Sequence, residues 1–401
     1  MIAMKRLRLF AAFALLMVPA FALAAPAARV APKNLLGNGG FELSRPDHEW
    51  MPADWDTSDS GLSTVFFGRD TLIAHGGHWS VNIANTSTVY TMPNNWSQTL
   101  LVGRETWGKT AVLSVWTRSA GVQGRAYILV QAYRDTVTKM AQIWGVDRDE
   151  AASRMAINKI DDPLIDFGWK RQQFEDENTG WVRREARIFV APGVNALFVR
   201  CGLIGTGQLY VDDASLVLEP APPAPTYAVG QNLMLDPGFE QGGDDWEWVI
   251  PPFPSARLDR DSTVAHSGRM SIRASEMRDG VTNARMGLCQ PFSARGLTGK
   301  HVRLSGWFKG DSLRSSAYAV IYCQTAHGVE TSPGTQMYSM TFDWSEAAVE
   351  MDVPEDTRQI WAWLAFNAPS LGTVWFDDGK LEVVGPSSTV KPRSTPAPRR
   401  R

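Results

Sequence analysis

Cysteine is nearly absent, with three residues in a chain of 401. An odd number excludes a fully paired disulfide framework. Cys201 sits in the apolar run Leu197 to Leu203, where a free cysteine behaves as a small hydrophobe. A bridge between Cys289 and Cys323 is left open, although domains of this size carry their own cores without staples. Long apolar runs are also scarce. The one at the start, Leu9 to Leu23, follows Lys5, Arg6 and Arg8 and ends on Ala22-Leu-Ala24. That order reads as a secretory signal peptide over residues 1–24. A membrane helix needs about 20 apolar residues, and Pro19 interrupts the run. The expected product is secreted: periplasmic, cell-surface or extracellular, with no transmembrane segment. A concentrated basic surface is missing too, since the formal net charge is −2. The leader holds three positive charges and the tail from Lys391 five more, so the folded part is more acidic than the whole chain. Nucleic acid is thereby excluded as a partner. No Gly-x-Ser-x-Gly elbow, His-Glu-x-x-His helix or phosphate-binding glycine loop occurs.

What the chain does have is an internal repeat, which settles organisation before any local reading. The segment Asn34 to Glu42 returns as Asn232 to Glu240, both ending Gly-Phe-Glu or its near match. Arg69 to Ser80 returns as Arg260 to Ser271, Leu113 to Trp116 as Leu304 to Trp307, and Ala126-Tyr127 as Ala317-Tyr318, all at one interval. Each copy closes on paired aspartates, Asp212-Asp213 and Asp377-Asp378, at a shorter interval. The first copy therefore carries extra residues between Tyr133 and Pro192.

Between the copies lies a proline-rich stretch that reads as a stiff spacer. The boundaries expected are a first module at 33–219 with an insert at about 134–185, a linker at 220–230, and a second module at 231–385. A basic, proline-rich tail at 386–401 reads as disordered. Within each copy, short alternating apolar and polar runs divided by Gly, Asn, Asp and Pro mark strands. The fold class expected is all-β: two tandem antiparallel β-sandwich jelly-roll domains, the first with a short helical insertion. Asp147 and Glu150 have capping-box spacing and start a helix over 147–157.

The opening motif, the Ala-His-Ser-Gly-Arg-x-Ser segment at Ala265, the Leu-Ser-x-Trp strand and the final Phe-Asp-Asp together resemble secreted carbohydrate-binding modules of families 4, 9 and 22, over both copies apart from the insert. The resemblance implies a galactose-binding-domain-like jelly roll and one structural Ca²⁺ per module. By position, the ligands would be Glu42, Asp212 and the carbonyls near Gly40 and His78. In the second copy they would be Glu240, Asp377 and the carbonyls near Gly238 and Arg269. Hard cations take six to eight oxygens, which tight loops supply. The other reading of these carboxylates is as acceptors for loop amides. Which aspartate of each pair would bind is left open. His75 and His266 lack partners at zinc spacing apart from His78, so a loop hydrogen bond is expected of them.

Sugars stack on aromatic rings while polar side chains hold their hydroxyls. Sixteen tryptophans are available, of which Trp55 and Trp248 are expected in the core or at its rim. With Val302, Leu304, Phe308, Ile321, Ile360 and Leu364 facing inward, strand alternation turns Trp307, Lys309, Tyr318, Tyr322, Gln324, Trp361 and Trp363 outward as one stripe. A bulge would invert that parity. The equivalent positions of the first copy are Trp116, Arg118, Tyr127, Gln131, Tyr133, Phe198 and Arg200. More guanidinium there suits an acidic sugar. Glycosidase carboxylates need no sequence spacing, and Asp161, Asp162, Glu175, Asp176 and Glu177 around the insert are the candidates. The reading reached is a protein that binds polysaccharide without cleaving it. A structural or adhesion protein is the alternative, and a lyase or hydrolase using the insert is a third. The glycan and the oligomeric state are not legible in the sequence.

Overall fold

The computed structural model describes residues 33–58, 61–87, 93–158, 165–243, 245–250, 256–277, 284–325, 327–333, 337–368 and 371–387. The expected signal peptide and nearly all of the basic tail, together with Asp161 and Asp162, lie outside the described residues. The first half runs β1 (Ser44–Arg45), β2 (His48–Pro52), β3 (Asp56–Ser58), β4 (Val65–Asp70), β5 (Ser80–Asn85), β6 (Asn94–Leu101), β7 (Lys109–Arg134), α1 (Thr136–Trp144), α2 (Arg148–Ile157), β8 (Ile165–Phe174), β9 (Val182–Phe189) and β10 (Ala196–Pro220). The second runs β11 (Glu247–Val249), β12 (Arg257–Asp261), β13 (Ser271–Met277), β14 (Ala284–Ser293), β15 (Lys300–Thr325), β16 (Gly328–Thr331), β17 (Met337–Asp352), β18 (Gln359–Ala368) and β19 (Leu371–Pro386). The fold is all-β, with two antiparallel sandwiches.

Two long strands build each sandwich by passing from one sheet into the other. β7 pairs with β9 along Thr110–Thr117 and with β8 along Ala126–Arg134. β10 likewise pairs with β6 through Ala196–Leu203 and with β5 through Gly207–Val211. The bend falls where β10 and β7 bring glycines together: Gly205 has φ +144°, and a Cβ there would sit 2.1 Å from the Gln123 carbonyl oxygen. Only glycine permits that approach. In the second half β15 passes between the sheets over register shifts from Phe308 to Ala317. The corner there is Ser312 at φ +53°, against Gly372 at φ +108°. These corners matter below, because residues on either side of them belong to different sheets.

The apolar sides of the sheets close on two cores. Phe41, Trp55, Trp96, Leu113, Ile128 and Val199 lie in the first. Phe239, Trp246, Leu304, Phe308, Ile321, Leu364 and Phe376 lie in the second, which also takes Trp248. Val302, Leu304, Phe308, Ile321, Ile360 and Leu364 are all fully buried, as alternation requires. All three cysteines are buried and unbridged. Cys323 packs its sulfur 3.7 Å from that of Met351.

Two local expectations change. The insert carries two helices rather than one. Asp147 caps α2 by accepting from the Glu150 amide at 2.7 Å, and the Glu150 carboxylate pairs with Arg154 instead of returning to the cap. The helix missed, α1, has its own signals: Asp135 accepts from the Thr138 amide, and Gly145 ends it in the left-handed conformation. The proline-rich connection is no free spacer either. Tyr227 packs against the second core, and the Pro222 carbonyl accepts from Arg295 at 2.7 Å. No helix among the described residues is long and apolar enough to cross a membrane.

At an edge of the second sandwich His301 bonds Asp352 at 2.7 Å and Glu350 at 3.1 Å. The Asp352 hydrogen bond, then that of Glu350, raise its pKa. A histidine whose pKa is raised by folding contributes fully below its unfolded value of about 6.5 and loses the contribution as pH climbs through the folded value. The stability gap between the native chain and a His301→Asn variant should therefore be widest in mild acid and close at alkaline pH, as denaturant melts will read. A gap independent of pH would assign it to packing.

Candidate functional site

Both halves build the same seam between their first and last segments. The first closing aspartate is fully buried: Oδ2 of Asp212 accepts from the amides of His75 at 2.7 Å and Gly76 at 3.0 Å. Asp377 does the same with His266 at 2.7 Å and Ser267 at 3.1 Å. Across the seam, Oε1 of Glu42 accepts from the amides of His78 and Trp79, and Oε1 of Glu240 from those of Arg269 and Met270. The second aspartate of each pair holds the histidine ring, with Nδ1 of His75 2.6 Å from Asp213 and Nδ1 of His266 2.7 Å from Asp378. That is the loop role expected of the two histidines.

The held histidines cover two tryptophans that alternation had turned outward. His75 stacks on Trp116 at 3.9 Å and 17°, and His266 on Trp307 at 3.9 Å and 12°. Trp181 and Trp344 meet the same imidazoles edge-on at 5.7 Å and 5.5 Å. Trp116 and Trp307 therefore belong to the seam. Their neighbours follow: Lys309 is paired with Asp343 at 2.6 Å, and Arg118 lies opposite Tyr210 on the same seam-side sheet as Trp116. The single stripe expected from parity is thus divided by the bends in β7 and β15. Alternation holds on each straight segment and says nothing of the corner between them.

The seam suits a hard cation in part. Glu240, Asp377 and Asp378 surround Gly238, where an added Cβ would lie 3.6 Å from Oδ1 of Asp378 and 3.9 Å from Oδ1 of Asp377. In the first copy the same cradle is Gly40 beside Asp213 and Glu42. Burial, with a further push from the adjacent aspartate, raises Asp212 and Asp377 to about 6, a charge problem that a cation would relieve. Against this, the named oxygens of Asp212, Asp377, Glu42 and Glu240 already accept from backbone amides, and Oδ1 of Asp378 accepts from the Ser267 hydroxyl. Among the described residues no three His, Cys, Asp or Glu side chains stand together as a metal group. A cation here has to draw on backbone carbonyls for most of its ligands.

The remaining predicted residues lie on the other sheet of each sandwich. In the first, Tyr127, Gln131 and Arg200 face outward from the core, but Tyr127 and Gln131 are only 2% and 8% exposed. The Tyr127 ring lies flat over Gly202, where a Cβ would come within 2.5 Å of it. The second sandwich covers this face. Arg171 on β8 gives its Nε to Glu247 on β11 at 2.5 Å, Arg125 lies 3.8 Å over the Trp248 ring, and Gln173 accepts from the Trp248 amide at 3.2 Å. The expected binding face of the first module is thereby an intermodular contact, with Tyr127 pushed up to about 12 by burial.

The second sandwich keeps part of its face open. Tyr318, Tyr322 and Gln324 on β15 lie beside Trp361 and Trp363 on β18, with Tyr322 directly opposite Trp361. Tyr318, Val320 and Ala365 form a buried cluster separate from the core, with the partly buried Tyr322 and Trp363 packed against it. The Trp361 Nε1 is buried and has no hydrogen-bond partner among the described residues. Facing it at 6.2 Å, tilted by 42°, is Trp169 from β8 of the first sandwich. Sequence reasoning passed over Trp169, because it lies in the segment taken as an excursion. β8 is instead clamped in place by Gln359, whose amide accepts from the Trp169 N–H at 3.2 Å and donates to its carbonyl at 2.6 Å. Of the insert carboxylates, Glu175 is committed to Arg125 and Asp176 to Arg184.

No known family's sequence profile matches the chain, and no curated protein matches it. Among solved structures, it is similar to the N-terminal tandem CBM22-1–CBM22-2 domain of Xyn10C from Paenibacillus barcinonensis, at 14% identity and a TM-score of 0.31, over 90% of this chain and 100% of that one. It is also similar to TmCBM61, solved with β-1,4-galactotriose, at 16% identity and a TM-score of 0.30, over 38% and 99%. A third is the Stig cyclase Fisc from Fischerella sp. TAU, at 14% and 0.32, over 47% and 98%.

Proposed function

We propose that this is an exported protein of two calcium-stabilised sandwich modules, at 33–219 and 231–385, that binds polysaccharide without cleaving it. The observation that carries the reading is the partly open aromatic face of the second sandwich, where the partly exposed rings of Tyr322, Trp361 and Trp363 stand together on neighbouring strands. Ring faces stack against the C–H surface of a sugar. Glycosidic cleavage needs two free carboxyls about 5 to 10 Å apart, and the arginine pairing of Glu175 and Asp176 speaks against that. In the first module Glu42, Asp212 and carbonyls near Gly40 and His78 would hold Ca²⁺. Glu240, Asp377 and carbonyls near Gly238 and Arg269 would do so in the second. The ion would supply the positive charge that the buried aspartates lack and tie the first segment to the last.

The test is to pass residues 25–401 over immobilised neutral and acidic polysaccharides with calcium or with chelator. Expected are retention without released product and a melting temperature that falls with chelator and returns with calcium. An ion at about 100 times its Kd contributes about 2.7 kcal/mol. Product release would make the protein an enzyme, and failure to bind any glycan would put protein adhesion first.

A further inference from the structure

Where Gln359 clamps β8, a groove of about 280 Å³ runs between the two sandwiches. That is near the lower end of small-molecule sites, roughly 300 to 1,000 Å³. Its lining includes three rings, Phe167, Trp169 and Phe189, and three cations, Lys170, Arg295 and Arg358, with no carboxylate. A fourth cation, Arg187, is neutralised by Glu185 and Glu219. The other three have no such ion pair among the described residues. Among the described residues the Arg295 guanidinium donates to the Pro222 carbonyl and that of Arg358 to the Thr325 carbonyl. Burial lowers the Arg358 pKa, opposed by Asp356 and reinforced by Arg134, so its charge is under-compensated.

The two arginines also lie over aromatic rings. Arg358 lies 3.9 Å over the Phe167 ring and Arg295 4.1 Å over Phe189. Stacking fixes the guanidinium plane and leaves its N–H edges to fork onto a planar anion. Such a fork matches a carboxylate, with two parallel charge-assisted bonds. Trp169, in the same groove, adds a ring for the sugar itself.

We infer that this intermodular groove binds a stretch of uronic-acid polysaccharide, its carboxylates received by Arg295 and Arg358 and its ring by Trp169. The inference deepens the polysaccharide reading and rests on it. The insertion in the first module then acquires a role, since β8 supplies Phe167, Trp169 and Lys170 to a site that neither sandwich completes alone.

Calorimetric titration of the calcium-loaded protein with tetragalacturonate, xylohexaose and a chondroitin sulfate oligosaccharide tests this. Tetragalacturonate should bind, more weakly as salt rises. Its affinity should fall at least tenfold in Arg295→Ala, and also in Arg358→Lys, which keeps the charge and loses the fork. Lys170→Gln, a change at the rim with little packing to lose, should weaken it several-fold and serves if either arginine variant misfolds. Xylohexaose binding should be unchanged in all three. Tighter binding of the sulfated oligosaccharide would reduce the groove to a general anion patch and overturn the inference. So would tetragalacturonate affinity that ignores all the substitutions. Binding of xylohexaose alone would sink the groove and leave the polysaccharide reading standing, whereas binding of none of the three would end both.

Discussion

Arg171→Ala should cost about 3–5 kcal/mol, the range for removing one partner of a buried ion pair. Arg171 is 16% exposed in its side chain and Glu247 only 3%, and they join β8 of the first sandwich to β11 of the second. Burial pushes the Glu247 carboxyl up, with Arg171 the largest opposing influence. Without the guanidinium, the carboxylate must either stay charged in a place water does not reach or take up a proton. A carboxyl raised in this way is tolerated at low pH and resisted as pH rises through its folded value. The loss should therefore be smallest in acid and grow towards neutrality, measured by denaturant melts across pH. Replacing both partners with Met should recover much of the stability, because two charges no longer need desolvating. If Arg171→Ala and the double replacement melt alike at neutral pH, the pair is not what holds the sandwiches together.

That interface also marks where the sequence stops being legible. The repeat, the paired aspartates and the alternation of Val302, Leu304 and Phe308 are local or periodic signals, and each has its counterpart in the structure. The stripe that was to join Trp307 to Trp361 failed for a geometric reason. Alternation carries parity along a strand, but β15 turns from one sheet to the other near Ser312, and the turn is encoded in a distant contact with Gly372. The covering of Trp116 and Trp307 by histidine was similarly hidden, since each stack depends on an aspartate far along the chain. Docking of β8 onto the second sandwich has no periodic signature at all. It rests on single contacts such as Arg171 to Glu247 and Trp169 to Gln359, made between halves that a repeat analysis treats as separate.

Trp361→Ala should lower glycan affinity by roughly thirtyfold, about 2 kcal/mol, as for a central tryptophan in a binding surface, with little change in melting. Trp307→Ala should do the reverse. Its ring is stacked under His266, whose imidazole is in turn held by Asp378, so truncation unsettles the loop around the closing aspartates and reaches no ligand. The two residues are both aromatic and both out of the core by parity, which makes them a matched pair for separating platform from seam. Trp361→Phe refines the reading: it keeps a smaller ring opposite Tyr322 and loses part of the indole's stacking area with its N–H, so affinity should fall part of the way. Glycan titration and thermal melts on the three variants decide the matter. If Trp307→Ala abolished binding while the fold kept its stability, the ligand would lie on the seam-side sheet, and the aromatic face around Trp361 would revert to a patch of packing between modules.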